Sequence, residues 1–226
     1  MANELLGVRV AFLATDGVEQ VELVEPWEAF ERAGAEVELL SLHGGRIEAM
    51  NHLKPGDSFE VDRKVADADP GAYDALVLPG GVANPDQLRT SEDVRRFVRR
   101  FFASGRPVAA ICHAPWTLID AGVVAGRTLT SWPSLQTDLR NAGATWVDEQ
   151  THFDGQLLTS RKPADLPAFC ARAIEIFGRQ IETETAGSAA AVRGGRARVG
   201  RTRDAVDESS QESFPASDAP SGPAYI

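Results

Sequence analysis

A thiol next to an imidazole is the part of this chain best suited to chemistry. Cys112 and His113 end the apolar run Val108-Ala109-Ala110-Ile111, and Ala114-Pro115 leads into the helix-like segment Trp116-Thr117-Leu118-Ile119-Asp120. A cysteine on a strand-to-helix turn faces the unpaired N–H groups of the helix's first turn. Their partial positive charge favours thiolate over thiol. Ala110 and Ala114, two residues to either side, allow a turn tight enough to lift the sulfur out of the sheet. The pattern is that of a nucleophile elbow with sulfur in place of a hydroxyl. The competing reading is a small buried hydrophobe, which suits Cys170 in Leu166-Pro167-Ala168-Phe169-Cys170-Ala171 better. The N–H of His113 is a candidate oxyanion donor, and its imidazole a candidate general base or acid.

In open α/β sheets, sites form at the carboxyl ends of the parallel strands. Two other predicted strand ends here carry residues of interest. Thr15-Asp16-Gly17-Val18-Glu19-Gln20-Val21-Glu22 follows the first strand. A desolvated carboxylic acid from this loop can donate a hydrogen bond to the sulfur, provided the first strand and the elbow strand are neighbours. Favourable charge at a helix N-terminus explains one of Glu19 and Glu22 without any chemistry, and spacing does not say which. The second strand end is Pro79-Gly80-Gly81. Gly80 and Gly81 can present backbone N–H groups to an oxyanion, although a tight turn also accounts for both.

The positioning elements follow from periodicity. GVRVAF (7–12), AEVELLS (35–41) and ALVL (75–78) read as strands, the last as one buried on both faces. Helical spacing runs from Leu23 to Ala33 and stops at Gly34, and Ser91 caps a second helix from Glu92 to Ser104. Pro55-Gly56 marks a polar connection. Short strands are expected at 128–131, 145–147 and 157–160, and a last helix from about Ala164 to Phe177. This alternation predicts a single doubly wound, mostly parallel α/β sheet with helices on both faces.

The 226 residues suffice for one sizeable core, expected over 1–181. Residues 182–226 are rich in Ala, Gly, Arg, Ser, Asp and Pro and read as a low-complexity, disordered tail. Two distant cysteines make no disulfide framework, and a working thiol suits the cytoplasm. There is no secretory leader pattern and no apolar run long enough to span a bilayer. A net charge of −10 argues against nucleic acid as a partner. His43, His52 and His152 have no metal-ligand spacing with each other or with the cysteines, so neither a metal nor a cofactor is expected.

Several motifs together resemble the DJ-1/PfpI superfamily, in particular its PfpI-type intracellular protease and general stress protein branch. They are Glu-Gln-Val-Glu-Leu at 19–23, Leu-Val-Leu-Pro-Gly-Gly at 76–81, Ala-Ile-Cys-His-Ala-Pro at 110–115, Thr-Ser-Trp-Pro at 130–133 and Thr-Ser-Arg-Lys-Pro-Ala-Asp-Leu at 159–166. The resemblance covers about 7–178 and leaves the tail outside. It implies a flavodoxin-like, class I glutamine amidotransferase-like sheet. It also implies Cys112 as nucleophile, His113 as its partner and Glu22 as the acid bonded to the sulfur. Asp86 matches a triad carboxylate that the family donates across a subunit interface and often has as Glu. Trp132 stands where relatives often have Tyr, and Ala114 where they often have Gly. The implied protein is a cytoplasmic, stress-protective cysteine hydrolase. It would act on peptides, reactive dicarbonyls or glycated adducts, as a homodimer or higher oligomer such as a hexamer. The alternative is a non-catalytic redox sensor or chaperone that works by oxidation of Cys112. A glutamine amidotransferase would need a late His-x-Glu pair, for which His152-Phe153-Asp154 is a poor match.

Overall fold

The computed structural model describes residues 3–179. The predicted boundary at 181/182 and the tail beyond it lie outside the described residues. The strands are β1 (Arg9–Leu13), β2 (Glu36–Ser41), β3 (Gly45–Asn51), β4 (Lys54–Val61), β5 (Arg63–Lys64), β6 (Ala75–Leu78), β7 (Val108–Ile111), β8 (Thr128–Leu129), β9 (Thr145–Trp146), β10 (Thr151–Asp154) and β11 (Leu157–Ser160). The helices are α1 (Gln20–Arg32), α2 (Ala83–Leu88), α3 (Glu92–Ala103), α4 (Pro115–Asp120), α5 (Gln136–Asn141) and α6 (166–179).

The main sheet runs β10-β11-β7-β6-β1-β2-β5, with only β10 antiparallel to its neighbour. Successive side chains of a strand face opposite ways, and the apolar runs divide accordingly. Val10, Phe12, Val77, Ala109 and Ile111 enter one core with Leu23 and Phe30 of α1 and Phe169 and Phe177 of α6. Ala11, Leu13, Leu76, Leu78, Val108 and Ala110 enter the other with Val94, Phe97 and Phe101 of α3 and Leu118 of α4. Phe30 links α1 to Phe12 of the sheet and Phe177 of α6, at 5.9 and 5.5 Å between ring centroids. Both faces are covered, so the central strands have no polar side to alternate with.

One expectation needs correction, and two details of strand pairing are added. Residues 45–61 are not a polar connection but the β3–β4 hairpin, with Pro55 and Gly56 inside β4. This two-stranded ribbon stands apart from the main sheet, where a proline removes no ladder bond that the fold requires. The strands β8 and β9 pair with each other in a separate sheet. Finally, β1 and β7 are not neighbours, because β6 lies between them. Chain direction out of the sheet reverses between β1, which continues to β2, and β6, which continues to β7. Such a switch point opens a crevice at the strand ends.

Asn84 seals the base of that crevice. Its side chain is fully buried, accepts from the Thr15 N–H at 2.8 Å, and donates to the carbonyls of Pro79 and Gly80 at 2.9 and 3.0 Å. The loops after β1 and β6 are thereby tied to one amide group. Asn84→Ala leaves buried backbone groups unpaired and is expected to cost about 2–4 kcal/mol. Urea unfolding measures this, and a loss below about 0.5 kcal/mol would mean that water replaces the amide.

Candidate active site

Cys112 is the residue after β7 and adopts φ +63°. A non-glycine residue in the left-handed region is strained and must be held by its surroundings. Its N–H donates to the Ser160 carbonyl of β11 at 3.0 Å, and its carbonyl accepts from the Trp132 N–H at 2.9 Å. The elbow is thus clamped from both sides, and its side chain is directed to the switch-point crevice. The cavity there has a volume of about 550 Å³, and Cys112, His113, Glu19, Glu22, Asp86 and Trp132 are among the residues lining it.

The acid at the sulfur is Glu22, in the first turn of α1. Although β6 separates the two parent strands, the glycine turn after β6 provides the crossing point. Glu22 Oε2 accepts from the Gly80 N–H at 2.9 Å, its Oε1 is buried without a hydrogen-bond partner, and the Cys112 side chain flanks the same glycine. A Cβ on Gly80 would lie 2.6 Å from Glu22 Oε2 and 2.7 Å from Cys112 Cβ, so only glycine permits this approach. Gly81, at φ +82°, would bring a Cβ within 2.5 Å of the Gly17 carbonyl. Because the Gly80 N–H is committed to Glu22, it is removed from the expected oxyanion donors. The N–H groups of Gly81 and His113 remain, and both favour negative charge on the sulfur.

Glu19 precedes α1 and takes a different place. Its carboxylate accepts from the His52 N–H at the hairpin tip, at 3.1 and 3.3 Å, and forms part of the cavity wall.

Burial sets the protonation states. It pushes Glu22 up to about 8, against the opposing effects of the nearby Cys112 side chain and the Gly80 N–H. The carboxyl group is therefore mostly neutral at pH 7 and able to donate. Burial also pushes the Cys112 thiol up, and the neighbouring Glu22 acts in the same direction, while the N–H groups of Gly81 and His113 oppose it. The sequence argument, with a standing thiolate at a helix N-terminus, is reversed on this point. The helix begins at Pro115, which has no N–H to contribute, and desolvation outweighs the rest. His113 is pushed down to about 4, again by burial. Its Nδ1 lies 3.1 Å from Cys112 Sγ. The resting site is a neutral thiol in contact with a neutral imidazole, beside a neutral acid.

The structure brings Cys112, His113, Glu22 and Gly81 together. Asp86 lines the same cavity without bonding to His113 in this chain, and its Oδ1 accepts from Arg89 at 2.7 Å. The His152-Phe153-Asp154 segment lies on β10, two strands from β7, with His152 bonded to Glu149. Sequence reasoning missed Asn84 and the hairpin tip, His52 and Leu53. A lone amide residue in the run Pro79 to Pro85 was the available signal for the first. For the hairpin tip there was none, because strand pairing decides where it points. Among the described residues, no three His, Cys, Asp or Glu side chains cluster so as to hold a metal.

Glu22→Gln tests the neutral acid. The folded pKa of about 8 exceeds the ordinary 4.5, so folding retains a proton that the unfolded chain releases. This contribution is complete below about pH 4.5 and is lost as pH rises through 8. Between pH 5 and pH 8.5 wild type should therefore lose stability relative to Glu22→Gln, by on the order of 3–5 kcal/mol. Urea titrations of both proteins at the two pH values measure it, and parallel pH dependences would show that Glu22 is charged throughout.

The sequence matches the DJ-1/PfpI family over residues 8–176. It is 40% identical over 170 residues to Deglycase PH1704 of Pyrococcus horikoshii, covering 75% of this chain and 99% of that one. It is 40% identical over 171 residues to Protein/nucleic acid deglycase 2 of Escherichia coli, covering 75% and 98%. Among solved structures, it resembles a two-domain protein of Anabaena variabilis containing DJ-1/ThiJ/PfpI-like and ferritin-like domains. That match has a TM-score of 0.72 at 32% identity, covering 76% of this chain and 48% of that one. With the elbow, the buried acid and the parallel sheet in place, the chain belongs to the DJ-1/PfpI family.

Proposed function

We propose that this protein is a cysteine-dependent deglycase-type hydrolase that protects cytoplasmic components from reactive dicarbonyls. The observation that carries the reading is the contact of 3.1 Å between Cys112 Sγ and His113 Nδ1, beside the acid Glu22, at the floor of an open cavity. The names of the deglycase relatives favour glycated adducts and dicarbonyls over peptides as substrates.

The protonation states suggest how the nucleophile forms. Neutral Nδ1 accepts the thiol proton as sulfur adds to the electrophilic carbon, and neutral Glu22 donates a hydrogen bond to the sulfur as charge develops. Charge on the substrate oxygen falls to the N–H groups of Gly81 and His113. His113 then gives that proton to the departing group and, once neutral again, takes one from the attacking water.

Among the described residues His113 has no carboxylate partner, while Asp86 is exposed at the cavity wall. Exposed Leu53, Val82 and Trp132 surround the same opening. These features support a homo-oligomer in which Asp86 of a second copy orients His113.

Cys112→Ser is expected to keep its circular dichroism spectrum and to lose turnover of methylglyoxal and of methylglyoxal-modified thiols by at least about a thousandfold. Retained turnover would eliminate the nucleophile. Co-refolding equal amounts of His113→Ala and Asp86→Ala tests the shared site. Random assortment places an intact His113 opposite an intact Asp86 in about a quarter of the sites. Recovery of about that fraction of activity is expected, whereas no recovery would place Asp86 in the same subunit's site, and full activity of Asp86→Ala alone would place it outside the mechanism.

A further inference from the structure

His113 sits between two indoles. The Trp132 ring lies 5.6 Å away and nearly parallel, at 23°, and the Trp116 ring lies 5.3 Å away, tilted by 55°. The two are not equivalent. Trp116 has the Arg89 guanidinium over its ring at 5.0 Å and donates its indole N–H to Asp138 at 2.8 Å. Its π face already serves a cation. Trp132 has no cation over its ring among the described residues, and its backbone N–H is bonded to the Cys112 carbonyl. An aromatic face is therefore fixed to the elbow itself and stacked on the imidazole that touches the sulfur.

We propose that Trp132 is a positioning residue for His113. Its indole holds the ring with Nδ1 at Sγ, and its π face stabilises the imidazolium formed when the thiol proton moves. In that step the S–H bond breaks, its electron pair stays on sulfur, and an N–H bond forms at Nδ1, so that a neutral pair becomes a thiolate–imidazolium pair. The inference rests on the Cys112–His113 reading above and adds what makes the transfer accessible in a buried site. Among the described residues of one chain, no carboxylate bonds to the ring, and the remaining charged or titratable groups around the cavity are Glu19 and Glu22 from the α1 side, Asp86 from α2 and His52 from the hairpin. An aromatic face favours a cation electrostatically, and more strongly where water is excluded. Among aromatic faces, indole is the strongest and phenyl retains part of the effect.

The test compares wild type with Trp132→Phe and Trp132→Leu, and adds His113→Ala as reference. The readout is the rate of Cys112 alkylation by iodoacetamide from pH 6 to 10, with the modified peptide identified by mass. Trp132 is partly exposed, so both replacements should fold, and Phe guards against a packing defect in Leu. The expected order at pH 7 is wild type, then Phe within about threefold, then Leu slower by about tenfold, with the midpoint of the profile moved up for Leu. A Leu profile that coincides with wild type overturns the proposal, and so does a Phe profile as slow as that of Leu. Turnover of methylglyoxal is measured on the same samples. Absent turnover with the alkylation order intact defeats the deglycase reading and leaves this inference standing. Normal turnover with coincident alkylation profiles does the reverse.

Discussion

A carboxyl group sealed from water beside a sulfur constrains everything around it. Fully buried Glu22 cannot be charged at neutral pH without a large desolvation cost, so it keeps its proton. Its contacts then fix their neighbours. One oxygen takes the Gly80 N–H, which forces a residue without a Cβ at that turn, and the other is buried without a partner, with the Cys112 side chain on the far side of the same glycine. The glycine turn, the first turn of α1 and the elbow are thus three parts of one contact. Asn84 binds the turn after β6 to the loop after β1 and so keeps α1 in register with it.

The same burial gives the site its chemical character. Each ionisable group at the sulfur is shifted toward its neutral form: the acid and the thiol upward, the imidazole downward. The site at rest does not store a thiolate. Charge separation is deferred to the reaction, when a proton can cross the 3.1 Å from Sγ to Nδ1. Groups that stabilise either half of that ion pair then matter more than they do in the resting enzyme. On the sulfur side these are the N–H groups of Gly81 and His113, and on the imidazole side the face of Trp132.

Much of this was legible in the residues. The runs at 75–78 and 108–111 read as strands buried on both faces because nothing in them is polar, and both are central strands with alternate residues in opposite cores. The helix over 92–104 was marked by Ser91, whose side chain accepts from the Val94 N–H. The elbow followed from a thiol and small flanking residues at a strand end, and the family motifs singled out Glu22. The β3–β4 hairpin was not legible, since Pro55 and Gly56 signal a break and only pairing across the ribbon overrides them. The direction of the Cys112 shift was also misread, because a local argument from a helix N-terminus omits the desolvation that the whole fold imposes.

By itself the sequence determined which chemistry is available and where along the chain it lies: one thiol beside one imidazole, two candidate acids and a glycine pair, each at the end of an apolar run. Local pattern is enough for this, since strand and helix periods and turn residues act over a few positions. Tertiary structure alone decided how Glu22 reaches the sulfur across an intervening strand, which glycine N–H is consumed in holding it, and which charge state each group keeps. Those outcomes depend on β6 lying between β1 and β7 and on how completely water is excluded where their loops converge.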